Sequence, residues 1–169
     1  EHRSQCIYGN ERHIVQDRKT LQLNYSKAVN FDQTMTLMKR IISFSDKRLA
    51  AFIANSFREI FSYLSIDTEI LMSSDIPKDN SLRGKDKILQ ICEILGADTY
   101  YNAIGGQNLY DKKEFSEHGI VLNLVDTIPK VYSQLRTKEF VPYLSMIDVL
   151  MNNTKDEVND LLDSFCVRY

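Results

Sequence analysis

The chain has 169 residues, 43% of them hydrophobic and 26% charged, and a net charge of −2. That is enough to bury roughly two-thirds of the unfolded surface in one domain. It gives no bulk attraction to a polyanion, and the apolar runs are far shorter than a bilayer crossing needs. The first fifty residues carry nine Lys/Arg against five Asp/Glu, and the remainder twelve against eighteen. With no basic run of five, these charges read as solvated surface and not as a nucleic-acid arm.

The first sixteen residues are polar and weakly patterned. "CIYGNERHIV" fits a short hairpin, with Gly9-Asn10 between two apolar pairs. From Phe31 the period becomes helical, with Phe31, Met35, Met38 and Ile42 on one face. Ser45 then reads as the cap of a longer helix. Its wide apolar stripe is Leu49, Phe52, Ile53, Phe57, Ile60, Phe61 and Leu64, read as core.

After Ile66 the pattern is strand, helix, strand, helix, strand. "TEILMSS" is short and apolar. "GKDKILQICEILG" buries Ile88, Ile91, Cys92 and Leu95, and Gly96 supplies a left-handed cap. "TYYNAI" is the second strand. "DKKEFSEHG" is a short helix with a box from Asp111 to Glu114 and a closing Gly119. His118, in its last turn, complements the helix dipole. "IVLNLV" is the third strand. Strands alternating with helices predict an α/β fold: a parallel sheet with βαβ crossovers and helices on both faces, following a helical N-terminal half. The strands are expected near 68–73, 99–104 and 120–125. In the tail, Ser145 and Asp148 are spaced as a capping box, and so are Thr154 and Glu157. The second opens a C-terminal helix burying Val158, Leu161, Leu162 and Phe165. With no internal repeat, the whole of 1–169 reads as a single α/β domain.

Signals for specific chemistry are sparse. Cys6, Cys92 and Cys166 form no C-x-x-C, which favours a reducing, cytoplasmic compartment. Cys92 reads as a buried thiol. His2, His13 and His118 make no metal-ligand pattern. No P-loop, G-x-S-x-G or H-E-x-x-H occurs. No metal and no cofactor is expected. Two places stand out. Gly105-Gly106 falls at the carboxyl end of the middle strand, where parallel sheets bind ligands, and Ser73-Ser74-Asp75 falls at the end of the first. The glycines serve either a ligand's approach or a plain turn needing positive φ. Ser145 and Asp148 form either a cap or a site. Asp148 lies between Ile147 and Val149 and must find a partner if buried, with Arg136 and Lys138 nearby in sequence.

"ILQICEILGADTYYNAIGGQNLYDKKEFSEHGI", then "YSQL" and "EFVPYLSMIDVLMNN", resembles the WbqC-like proteins of bacteria. They share, in this order, an LGA-x-x-Y strand entry, a Gly-Gly loop and an LS-I-D-L segment. "KTLQLNYSKAVNF" is similar to the family's Lys-Thr-Ile … Tyr-x-Lys-Ala-Pro-Tyr-Phe stretch. The likeness spans about residues 17–165. Family members also carry an N-terminal strand followed by a Gln-Pro-Tyr turn that is not visible here, so this chain reads as N-terminally truncated. Asp17 stands where a histidine is frequent.

The resemblance implies a role in surface-polysaccharide (O-antigen) biosynthesis, as a transferase placing an amino acid or acyl group on a sugar. The alternative is a non-catalytic member binding a sugar or a partner enzyme. The substrate it implies is a nucleotide- or lipid-linked sugar, and the partners it implies are a second copy of the chain or a biosynthetic enzyme. Asp148 is the catalytic candidate. Asn102, Gly105, Gly106, Tyr110, Gln134 and Ser145 are the ligand-binding candidates.

Overall fold

A computed structural model describes residues 11–46 and 48–168. They pack as two compact units: residues to Ile70 with Pro129–Asp163, and Leu71–Ile128 with the segment from Ser164.

The first unit is helical: α1 (Glu11–Tyr25), α2 (Phe31–Ile42), α3 (Leu49–Leu64), α6 (Met146–Asn152) and α7 (Lys155–Leu162). Leu37, Ile41, Leu64, Leu150 and Val158 form its core, with Met38, Phe52 and Ile60 packed around them. The hairpin expected over residues 6–15 lies partly outside the described residues, and its second half is the start of α1. The fully buried residues of α2 are Thr34, Leu37 and Ile41, and the expected Phe31, Met35, Met38 and Ile42 are half-buried beside them. Thr34 turns its face of the helix inward because its hydroxyl donates to the Leu150 carbonyl of α6 at 2.8 Å. A polar residue at the centre of a buried stripe is invisible to apolar periodicity.

Helix α3 starts later than expected. Arg48, not Ser45, is its N-cap, and the Asp46 carboxylate accepts from the Arg48 amide at 3.0 Å. Its stripe is wider than the surface available to cover it. Phe52, Ile60 and Phe61 are half-buried, whereas Leu49, Ile53 and Phe57 are exposed, which corrects the reading of all of them as core. Helix α7 opens with the expected box: Thr154 Oγ1 accepts from the Glu157 amide, and the Glu157 carboxylate accepts from the Thr154 amide.

The second unit holds α4 (Gly84–Ile94), β1 (Thr99–Ala103), α5 (Lys112–Glu117), β2 (Val121–Thr127) and β3 (Phe165–Arg168), in sheet order β1-β2-β3. β1 and β2 are parallel, Thr99 opposite Val121 and Ala103 opposite Val125, joined through α5 as one βαβ unit. The third strand corrects the expectation twice. Residues 68–73 form no strand: they run irregularly into a 3-10 turn at Ser73–Asp75, and only Ile70 and Met72 are half-buried. The sheet position is taken by "FCVR", antiparallel to β2, where the C-terminal helix was expected to continue. An aromatic and a β-branched residue at alternate positions suit a strand, and α7 ends at Leu162. The sheet is therefore only partly parallel.

Helices cover one sheet face. Tyr100 and Leu122, paired across β1 and β2, point into a cluster with Leu89 and Cys92 of α4 and Phe115 of α5. On the opposite face Tyr101 and Val121 are exposed and Asn123 is buried, and no apolar helix cluster like that of α4 and α5 is seen there among the described residues, where helices were expected on both faces. Gly96 and Gly119 close α4 and α5 at φ +63° and +73°, as expected. Asp111 caps α5, its carboxylate accepting from the Lys113 amide at 2.7 Å. The reciprocal half of that box is absent, because Glu114 pairs with Lys85. His118, at the end of α5, lies 2.7 Å from Glu93 of α4.

Candidate functional site

Helix α6 is short and inserts its polar residues as deeply as its apolar ones: Asp148, Leu150, Met151 and Asn152 are all buried. Its start is set by Ser145, whose hydroxyl accepts from the Ile147 amide at 3.3 Å. The Asp148 amide donates to the Ser145 carbonyl at 2.8 Å. The carboxylate has other partners than the Ser145 amide and the hydroxyl takes the Ile147 amide instead of that of Asp148, so Ser145 is a simple N-cap and neither bond of the expected capping box forms. At the other end, Asn30 Nδ2 and Thr34 Oγ1 donate to the Leu150 carbonyl, the Asn30 amide to that of Met151, and Asn153 Nδ2 to that of Val149. Buried carbonyls that the helix cannot satisfy itself are met by side chains from α2 and the α1–α2 turn.

Asp148, a residue only 7% exposed, is the hub of this unit through its carboxylate. Tyr25 at the end of α1 donates its phenol to Oδ1 at 2.9 Å, and Tyr132 donates to Oδ2 at 2.7 Å. Asn152 Nδ2, one helical turn on, donates to Oδ1 at 3.1 Å and to the Asp148 carbonyl at 2.9 Å. Gln134 Nε2 lies 3.5 Å from Oδ2. Burial, followed by the hydrogen bond to Asp148, pushes the Tyr25 and Tyr132 phenols up to about 12, so both remain protonated donors at neutral pH. The expected cationic partners are replaced by neutral ones. Arg136 instead donates to the Leu23 carbonyl at 2.7 Å and to Asn24 at 3.3 Å, fastening its turn to the end of α1. Lys138 is exposed and is not among the partners of Asp148.

The segment 129–145 forms the outer wall. Gln134 closes it on itself: Nε2 donates to the Val141 carbonyl at 2.9 Å, and Oε1 accepts from the Val141 amide at 2.8 Å. The Tyr132 ring packs edge-on against Phe140, centroids 5.3 Å apart. Tyr132 also lines an open cleft of about 220 Å³ with Lys130, Asn152, Asn153, Glu157 and Asp160. Tyr132 thus connects a buried carboxylate to a polar cleft.

The other candidates lie in the second unit. Gly105 and Gly106 form a 3-10 turn directly after β1, at the carboxyl end of the strand as expected. Of the two reasons expected for glycine, the turn needing positive φ does not apply, since neither has one. Gly106 is buried against the Asn102 side chain, where a Cβ would lie 2.2 Å from Nδ2, whereas a Cβ on Gly105 would meet nothing. Tyr110 joins Tyr100 and Phe115 in a ring cluster with centroids 5.6–6.0 Å apart. Of the seven nominated residues, the structure gathers Asp148, Ser145 and Gln134 in one unit and Asn102, Gly105, Gly106 and Tyr110 in the other.

Tyr25, Tyr132 and Asn152 were not nominated from the sequence. Asn152 carried a usable signal, standing four residues after Asp148 on a helix. Burial raises the Cys92 thiol, which suits a core residue and not a nucleophile. Among the described residues no group of three or more His, Cys, Asp or Glu is placed to hold a metal ion.

The fold and site define a mixed α/β protein whose helical unit holds a carboxylate beneath a polar cleft. A family model matches residues 6–160, and the chain belongs to the WbqC-like protein family. No curated protein and no solved structure matches it. No helix among the described residues is long and apolar enough to cross a membrane.

Proposed function

We propose that the protein is a transferase of bacterial surface-polysaccharide (O-antigen) biosynthesis, moving an amino acid or acyl group onto a nucleotide- or lipid-linked sugar in the cytoplasm. The observation carrying this reading is the Tyr132–Asp148 pair: Tyr132 is a lining residue of the cleft, and its phenol donates at 2.7 Å to a buried carboxylate. Nucleophilic attack by a sugar hydroxyl or amine requires loss of its proton as the new bond to the acyl carbon forms. The Tyr132 oxygen receives that proton while its own passes to Asp148 Oδ2, and the leaving group departs with the electron pair of the broken acyl bond. Tyr25 and Asn152 hold Oδ1, fixing the carboxylate. The Gly105-Gly106 turn, with Asn102 and Tyr110 near it in the second unit, is a separate candidate for binding a phosphate or carboxylate.

One observation favours a non-catalytic sugar- or partner-binding member instead: both Asp148 oxygens already have partners within the chain. The test is genetic and chemical. The gene is deleted in its host, the surface polysaccharide is analysed by mass spectrometry, and the deletion is complemented with wild type or Asp148→Asn. The transferase reading expects a substituent lost on deletion and restored by wild type alone, with the purified variant still folded. Restoration by Asp148→Asn contradicts it.

A further inference from the structure

The cleft outside Tyr132 has a lopsided chemistry. Asn152 and Asn153 are both more than nine-tenths buried and both line it. The Nδ2 of Asn152 is spent on the Asp148 carbonyl and carboxylate, and that of Asn153 on the Val149 carbonyl. A backbone carbonyl only accepts, so these bonds fix which end of each amide is NH2. The two Oδ1 atoms are then left with no donor among the described residues, and neither is sealed from solvent. Beside them stand Glu157, of whose carboxylate only Oε2 is used by Thr154, and Asp160, which has no ion pair among the described residues. The hydrogen bond from the Thr154 backbone lowers the Glu157 pKa, so it stays ionised. Lys130 is the single cation of the lining. The cleft therefore offers two neutral acceptors and two carboxylates against one ammonium.

We propose that this cleft is a subsite for a protonated primary amine on a small polar molecule, an amino sugar or an amino acid. The proposal rests on the reading of Tyr132 as the residue facing substrate. An ammonium has three donors and no acceptor, which matches the Asn152 and Asn153 oxygens and the charge of Glu157 and Asp160. A phosphate would meet acceptors and negative charge. At about 220 Å³ the cleft is below the roughly 300–1,000 Å³ of drug-sized sites and suits one ring or a short chain. The amine would lie beside the Tyr132 phenol.

The test is amide-detected NMR titration of the full chain with glucosamine, N-acetylglucosamine and glycine. Glucosamine or glycine is expected to shift the side-chain NH2 signals of Asn152 and Asn153. Glucosamine is expected to bind about tenfold or more tightly than its N-acetyl form, the worth of a charge-assisted hydrogen bond. Which amine binds assigns the source: a sugar or an amino acid. Asp160→Asn combined with Glu157→Gln, which keeps the helix cap, is expected to weaken binding several-fold without loss of fold. Equal binding of glucosamine and N-acetylglucosamine, or no shift at Asn152 and Asn153 with either amine, overturns the proposal. Amine-selective binding with a fully active Asp148→Asn would leave the subsite standing and remove the proton relay.

Discussion

The two units are stabilised by opposite means. The second is organised around Phe115, fully buried and flanked by Tyr100 and Tyr110, with Leu89, Cys92 and Leu122 completing an apolar cluster. The first places a carboxylate, three asparagines and a threonine among its most buried residues, joined by hydrogen bonds to α6. An apolar cluster tolerates small rearrangement. A buried polar network holds its members through directional bonds, so it fixes one geometry. The lesson is about location: fixed polar geometry is what proton transfer needs, and it is found in the helical unit beside a polar cleft. The Gly-Gly turn that dominates the sequence lies elsewhere.

The contrast can be broken or sharpened by substitution. The largest effect is expected from Phe115→Ala, about 3–5 kcal/mol in denaturant unfolding, because the side chain is fully buried and touches two rings. Asp148→Ala should follow at about 2–3 kcal/mol, since it leaves the Tyr25 and Tyr132 phenols without their acceptor and removes one of the two bonds of Asn152. A loss below 1 kcal/mol would show the hub to be ornamental.

Alkaline pH should act on the same hub. Tyr25 and Tyr132 have folded pKa values raised from 10.0 to about 12. Their contribution is whole below pH 10 and is lost as pH rises through 12, because the unfolded state releases those protons first. Tyr100 is raised likewise, mainly by burial, so Tyr25→Phe with Tyr132→Phe isolates the hub's share in a phenolate-absorbance titration. The smallest effect concerns the turn. Gly106→Ala should cost about 1 kcal/mol by displacing Asn102, and Gly105→Ala should be neutral within about 0.5 kcal/mol. Equal costs at the two positions would contradict the packing seen there.

How much of this was legible in the sequence follows from the kind of signal each element carries. Helices α3, α4 and α7, strands β1 and β2, and the caps at Gly96, Gly119 and Thr154 were readable because period and cap chemistry are local. The fate of "TEILMSS" and of "FCVR" was not, since a short apolar run becomes a strand only if a partner edge is free, and that depends on distant chain. Asp148 was identifiable as a carboxylate among apolar neighbours that had to find partners. Its partners were not, because Tyr25 is 123 residues away and tyrosine phenols took the place that nearby Arg136 and Lys138 suggested. The turn at Gly105-Gly106 was placed correctly, but the positive φ offered as one reason for it is absent, and at Gly106 it is contact with Asn102 that leaves no room for a side chain.

Tyr25 and Tyr132 provide the sharpest control, since each donates one hydrogen bond to Asp148 but only Tyr132 lines the cleft. The decisive measurement complements the deletion strain with Tyr25→Phe or Tyr132→Phe and compares polysaccharide substitution with the stability of each purified protein. The account predicts similar stability losses of about 1 kcal/mol, with substitution abolished by Tyr132→Phe and largely kept by Tyr25→Phe. Equal substitution by both variants, whether full or absent, would contradict a proton path through Tyr132.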